Sequence, residues 1–252
     1  MEWEERKAFY NKDFFKDFVN PDGIAAYLTD GTESWLKEKA SLIYDLCEPL
    51  SILNCGCANG WLEYAFYLLD KPIITGFDVS EYALSIVADA IKGWVFQHDI
   101  TEGIPFENDS FELVVILDVL EHLHNYPLLC KSVSEICRIA TKGILVMMPL
   151  INYPIFPGEN PTEQNVFRDK FLQELNVLPH EVRLQLVGVH PYLNKPSPND
   201  TIHHPMEHPR QFWVELFKSF GFRDKTLSDK YYIYPNALGS CSFNIMFFEK
   251  QG

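Results

Sequence analysis

Positive charge is what this chain has least of. Its 21 lysines and arginines stand against 35 aspartates and glutamates, a formal net charge of −14. Sequence-independent nucleic-acid binding needs a basic footprint, so no nucleic-acid partner is expected. Long apolar runs are also missing. None approaches the ~20 residues that span a bilayer, and the opening Met1-Glu-Trp-Glu-Glu-Arg-Lys7 is charged where an export signal would be apolar. No membrane partner is expected, and a cytoplasmic location is. The six cysteines, at 47, 55, 57, 130, 137 and 241, are then expected as reduced thiols. Cys55-Gly-Cys57 lacks the second cluster of a metal site, so no metal is assigned. Internal repeats and low-complexity tracts are absent too. With 252 residues, 47% of them hydrophobic, the chain can bury one substantial core as a single domain.

What the chain does have is centred on Ser51-Ile-Leu-Asn-Cys-Gly-Cys-Ala-Asn-Gly60. An apolar run ends in a polar residue, a glycine-punctuated turn follows, and Trp61 to Leu69 repeats apolar residues at helical spacing. Strand, glycine turn and helix open a doubly wound α/β sheet. A dinucleotide fingerprint would need glycines at 56, 58 and 61, and Ala58 and Trp61 stand there instead. The alternation then continues: strands over 73–77, 94–98, 111–117 and 143–148, helices over 80–91 and 127–139. Such alternation implies parallel strands with helices on both faces. Asn54, Asp78, Asp99 and Asp118 fall at strand carboxyl ends, the rim where ligands bind in such sheets.

Several pieces in this order carry a resemblance. Gly56, Ala58 and Gly60 resemble the G-x-G-x-G loop of class I S-adenosylmethionine-dependent methyltransferases. Ile73-Ile-Thr-Gly-Phe-Asp78 resembles the second strand with its terminal acid, and Gly93 to Ile100 the third. Ile104 to Leu123, with Asp-Val-Leu-Glu-His-Leu at its end, is similar to the fourth-strand signature, and Gly143 to Pro149 to the fifth strand. The resemblance implies a Rossmann-like seven-stranded sheet, mostly parallel, closed by a C-terminal antiparallel hairpin. It also implies S-adenosylmethionine as cofactor.

Around this cofactor-binding core, 49–149, the remaining segments are assigned in turn. Residues 1–48 read as an N-terminal helical cap: an amphipathic aromatic helix to about residue 20, then a helix from an N-cap at Ser34 to Cys47. Tyr10 and Tyr27 are its polar aromatics. Residues 150–207 are rich in proline, aromatics and histidine, and are expected to be a substrate-binding insertion; a dimer interface is the other reading, so a homodimer stays open. Residues 208–252 read as a helix with Phe212, Trp213, Leu216, Phe217 and Phe220 on one face, Gly221 as its C-cap, and strands over 231–234 and 242–248 joined by 235–240.

The resemblance assigns cofactor contacts along the rim. The loop Gly56-Cys57-Ala58 to Gly60 and Asn54 would meet the methionine portion. Asp78 would accept both ribose hydroxyls. Asp99 would accept from the adenine amine, with Val79 and Ile100 as apolar walls, and Asp118 completes the rim. Similar enzymes usually have an acid at Asn54 and a glycine at Ala58. A general base, where an acceptor needs one, is sought at His204, His208 or His122, because histidine titrates in the useful range. The expected function is methyl transfer to a small-molecule O or N acceptor, a sugar or secondary metabolite. A non-catalytic cofactor-binding regulatory or scaffold protein is the alternative that Asn54 and Ala58 keep open.

Overall fold

A computed structural model describes residues 3–20, 25–28, 31–123, 125–148, 210–225 and 245–252. Its centre is a seven-stranded sheet of β1 (Ile52–Cys55), β2 (Ile74–Asp78), β3 (Val95–Gln97), β4 (Phe111–Leu117), β5 (Ala140–Met147), β6 (Phe222–Asp224) and β7 (Ile245–Lys250), in the order 3-2-1-4-5-7-6. Strands β1 to β5 pair in parallel, while β7 runs antiparallel to both β5 and β6. The order reverses between β1 and β4, which opens a crevice at their carboxyl ends.

Side chains alternate across this sheet with the strand period of two. Leu53 and Cys55 of β1, Val114 and Ile116 of β4, and Ile144 and Val146 of β5 face one cluster, shared with helices α5 (Tyr126–Ile139) and α6 (Arg210–Ser219). Ile52, Leu113, Val115, Leu145 and Met147 face the other, closed by α2 (Glu33–Tyr44) and α3 (Trp61–Leu68). Both faces are therefore covered, as the near-continuous apolar strands require. Among the described residues, no helix is long and apolar enough to cross a membrane.

The departures from the sequence reading have local causes. The aromatic N-terminal helix α1 covers only Trp3–Phe9. Asn11 turns the chain, its Oδ1 accepting from the Asp13 N–H at 2.8 Å and its Nδ2 donating to the Ala8 carbonyl at 2.9 Å, the side-chain competition that favours turns over helix. Helix α2 begins before Ser34, with Thr32 at its N-cap position making no side-chain cap bond. The expected helix 80–91 breaks after α4 (Glu81–Ser85), and Asp89–Trp94 is a 3-10 segment. There the Ala88 N–H donates to the Tyr27 hydroxyl at 3.1 Å instead of to a helical carbonyl. At the C-terminus Gly221 takes φ +85° after α6, as a C-cap should. The strand paired with β7 is then Phe222–Asp224; the expected strand 231–234 and its connection lie outside the described residues.

Candidate functional site

The crevice holds a cavity of about 640 Å³, within the range of roughly 300–1,000 Å³ usual for small-molecule sites. Of the expected cofactor contacts, Asn54, Gly56, Ala58, Asp78, Val79, Asp99, Ile100 and Asp118 line it. Cys57 and Gly60 do not; they form the turn behind it. Of the three histidines, His122 lines the cavity, while His204 and His208 lie outside the described residues, as does the whole insertion.

The loop is built from three left-handed residues, Gly56 and Gly60 at φ +77° and Ala58 at φ +49°. Its first amides are turned toward β2: the N–H groups of Gly56 and Cys57 both donate to the Phe77 carbonyl, at 2.8 and 2.9 Å. The Ala58 N–H donates to Asp78 Oδ2 at 2.8 Å. A methyl group at a left-handed position costs about 1–2 kcal/mol, partly offset because alanine is less free than glycine when unfolded. Ala58→Gly is therefore expected to leave stability unchanged or raise it by up to about 1 kcal/mol, against the usual loss for this exchange. Thermal unfolding checks it, and a clear drop in midpoint would contradict the strain.

Asp78 is anchored at both oxygens, since Oδ1 accepts from the Ser80 N–H at 2.8 Å. Burial pushes its carboxyl up to about 6, and the N–H groups of Ser80, Ala58 and Val79 hold that rise in check. Each oxygen keeps a further lone pair. Asp99 also has a structural duty: its Oδ1 accepts from both N–H and Oγ1 of Thr101, each at 2.8 Å, capping the short helix that begins at Ile100. Asp118 takes φ +54°, and its N–H donates to the Met147 carbonyl at 2.7 Å. The thiols of Cys55 and Cys57 are buried and pushed up by desolvation, which makes them poor ligands and poor nucleophiles. Among the described residues no group of three potential metal ligands forms.

Asn54 is 2% exposed, and its Nδ2 donates to Glu63 Oε1 at 2.9 Å. Glu63, in the first turn of α3, is fully buried behind Asn54 and does not reach the cavity. Desolvation pushes its carboxyl up to about 7. Asn54 Oδ1 and Glu63 Oε2 are buried with no hydrogen-bond partner among the described residues. Sequence reasoning passed over Glu63. Its signal was an acid beside Leu62, Ala65 and Phe66 on a helix face that must be buried, combined with Gly76 inside a strand.

The opposite wall comes from the first thirty-five residues. Tyr10, Phe14, Phe15, Phe18, Tyr27 and Trp35 line the cavity, and of these only Tyr10 and Tyr27 were singled out in the sequence. Tyr10 meets the His122 ring edge-to-face at 5.9 Å. Backbone groups hold the segment: Ser80 Oγ donates to the Tyr10 carbonyl, Asn59 Nδ2 to the Phe18 carbonyl at 3.3 Å, and the Tyr27 hydroxyl to the Asn59 carbonyl at 2.8 Å.

Comparison with known proteins bears on the family and the fold. Residues 53–147 match a family model described as a methyltransferase domain. An uncharacterised protein of Methanocaldococcus jannaschii is 31% identical over 153 residues, covering 58% of this chain and 60% of that protein. Demethylmenaquinone methyltransferase of Desulfitobacterium hafniense is 26% identical over 161 residues, 60% of this chain and 62% of that enzyme. The chain thus matches about three-fifths of the length of these curated relatives. In fold, it superposes on magnesium protoporphyrin IX methyltransferase of Synechocystis PCC 6803, solved with S-adenosylhomocysteine, at TM-score 0.56 and 14% identity, over 99% of this chain and 100% of that one. Over residues 53–147 the chain is therefore similar to methyltransferase domains, and its fold is that of a solved methyltransferase.

Proposed function

We propose that the chain is an S-adenosylmethionine-dependent methyltransferase acting on a small molecule. The observation that carries this reading is the convergence of Asn54, Asp78, Asp99 and Asp118, from the ends of β1 to β4, on one cavity. The residues suit the cofactor. Asn54 Oδ1 is a buried acceptor with no partner among the described residues, matched to an ammonium or hydroxyl donor. Asp78 presents spare acceptor capacity to a diol, and Val79 and Ile100 offer apolar walls to an adenine ring. S-adenosylmethionine supplies, when bound, a methyl group already activated on a sulfonium, so the protein's contribution is positioning and exclusion of water.

The acceptor is proposed to be largely apolar, presenting one oxygen or nitrogen. The aromatic wall of Phe14, Phe15, Phe18 and Trp35 supports an apolar body more than a bare sugar. His122, between Tyr10 and Glu121 with its Nε2 4.0 Å from Glu121 Oε1, is the proposed proton acceptor within the described residues. Residues 150–207 are proposed to complete the acceptor side, with His204 and His208 as further candidates for the base.

Calorimetric titration with S-adenosylhomocysteine is expected to give micromolar binding. An acceptor screen reading its release from S-adenosylmethionine is expected to find turnover with apolar O or N acceptors. No binding would end the cofactor reading; binding without turnover on any acceptor would favour a regulatory or scaffold role.

A further inference from the structure

We propose that Glu63, acting through Asn54, supplies the negative charge opposite the ammonium end of the cofactor, so that cofactor binding expels a proton from the protein interior. This rests on the cofactor reading above and concerns how this chain replaces a missing acid.

Four observations carry it. Asn54 meets the cavity with a neutral amide, and its Nδ2 is given to Glu63 Oε1 at 2.9 Å. The carboxyl behind it is fully buried, with Oε2 lacking a hydrogen bond among the described residues, an arrangement that costs stability. The sheet makes room for it. Gly76 stands opposite Asn54 in the β1–β2 register, and a Cβ there would lie 2.3 Å from Glu63 Oε1 and 2.7 Å from Cys57 Cβ. Glu63 also sits in the first turn of α3, where the helix end favours an anion. Asparagine, glutamate and glycine, from three different elements, form one fitted set.

The groups facing Glu63 explain why it would wait for a ligand. Asp78 on β2 and Cys57 in the loop oppose its ionisation, and Tyr27 approaches from the N-terminal segment. None of them is cationic. Burial leaves the carboxyl at about 7, so near neutrality it is partly protonated while the site is empty. An ammonium held at Asn54 Oδ1 favours the carboxylate and lowers its pKa. The amide then relays the charge: Nδ2 donates toward Glu63 as Oδ1 accepts from the ligand. The sign follows. Below pH 7 binding must first remove the proton, so affinity rises with pH toward 7 and levels above it. Glu63 is in this sense a positioning residue that never touches the ligand.

The test is titration with S-adenosylhomocysteine between pH 6 and 8.5, in two buffers of different ionisation enthalpy. Wild type is expected to release a proton near pH 6.5 and to gain affinity by up to about tenfold per pH unit below 7. Glu63→Gln is expected to lose that release and to bind about tenfold more weakly at pH 8. The double variant Asn54→Asp with Glu63→Gln is expected to recover affinity at pH 8, with any proton linkage moved to lower pH. The ligand's own amine titrates alike in all three proteins and cancels. Asp78 contributes release closer to pH 6, which persists in Glu63→Gln. Wild type that binds without proton release near pH 6.5, or Glu63→Gln that keeps wild-type affinity and release, overturns the proposal. Wild type that does not bind at all fails the cofactor reading instead.

Discussion

Asp78→Ala is expected to lower affinity for S-adenosylhomocysteine by roughly a hundredfold to ten-thousandfold. On the proposed ribose assignment, two hydrogen bonds from hydroxyls to the carboxylate are at stake, each worth on the order of 1.5–3 kcal/mol. The geometry adds a second route to the same loss. Asp78 Oδ2 holds the Ala58 N–H and Oδ1 the Ser80 N–H, so alanine frees both the glycine loop and the start of α4. Asp78→Asn keeps the volume but turns an N–H₂ toward one of those N–H groups, and should also weaken binding. Calorimetry with the folded variants decides the matter. Undiminished binding in Asp78→Ala would remove the ribose assignment.

Trp213→Ala carries the largest expected effect on stability. Trp213 is fully buried, edge-to-face against Phe212 at 5.1 Å, within the cluster that joins α6 to one face of the sheet. Truncating a buried aromatic of this size removes its burial and leaves a cavity, at a cost of about 3–5 kcal/mol. In a domain of this size that is on the order of 10 °C in unfolding midpoint. Trp213→Phe, which fills more of the space, should cost much less. A midpoint shift of only a degree or two for alanine would mean that the helix is not anchored through this residue. Because α6 lies away from the cavity lining, cofactor affinity of the folded fraction should stay near wild type.

The core of the fold was legible because three of the five parallel strands are short apolar runs that meet a polar residue at their carboxyl ends. β1 before Asn54, β2 before Asp78 and β4 before Asp118 all read that way, and the interposed helices carry their own spacing. What escaped was set by contacts between distant segments. The break after α4 depends on Tyr27, sixty-one positions earlier than the amide it binds. β6 is only three residues long, directly after Gly221, too short to show a period. Glu63 carried a signal in its apolar helix face, but its partner did not: the bond from Asn54 joins residues of two elements. The aromatic residues 9–18 promised a helix and form a turned segment instead, because Asn11 satisfies the backbone locally. The cavity thus has a legible half, made by strand ends, and a half that is written only in tertiary contacts.

The Tyr27 hydroxyl donates to residue 59 and accepts from residue 88. Burial, the largest cause, pushes it up to about 12, so the proton for that donation stays in place across the whole working range of pH. Neither partner exists in its final position until β1, the loop, α3 and β2 have come together. This link is therefore expected to form late in folding, after the loop closures that bring its partners within reach. On the way out it is expected to be early: losing the two Tyr27 bonds leaves every strand pairing of the sheet intact, a sub-global opening cheaper than complete unfolding. The amide of Ala88 is then a clock for that one event. Its hydrogen exchange should run faster than that of the central β4 amides, and should slow in step with cofactor occupancy.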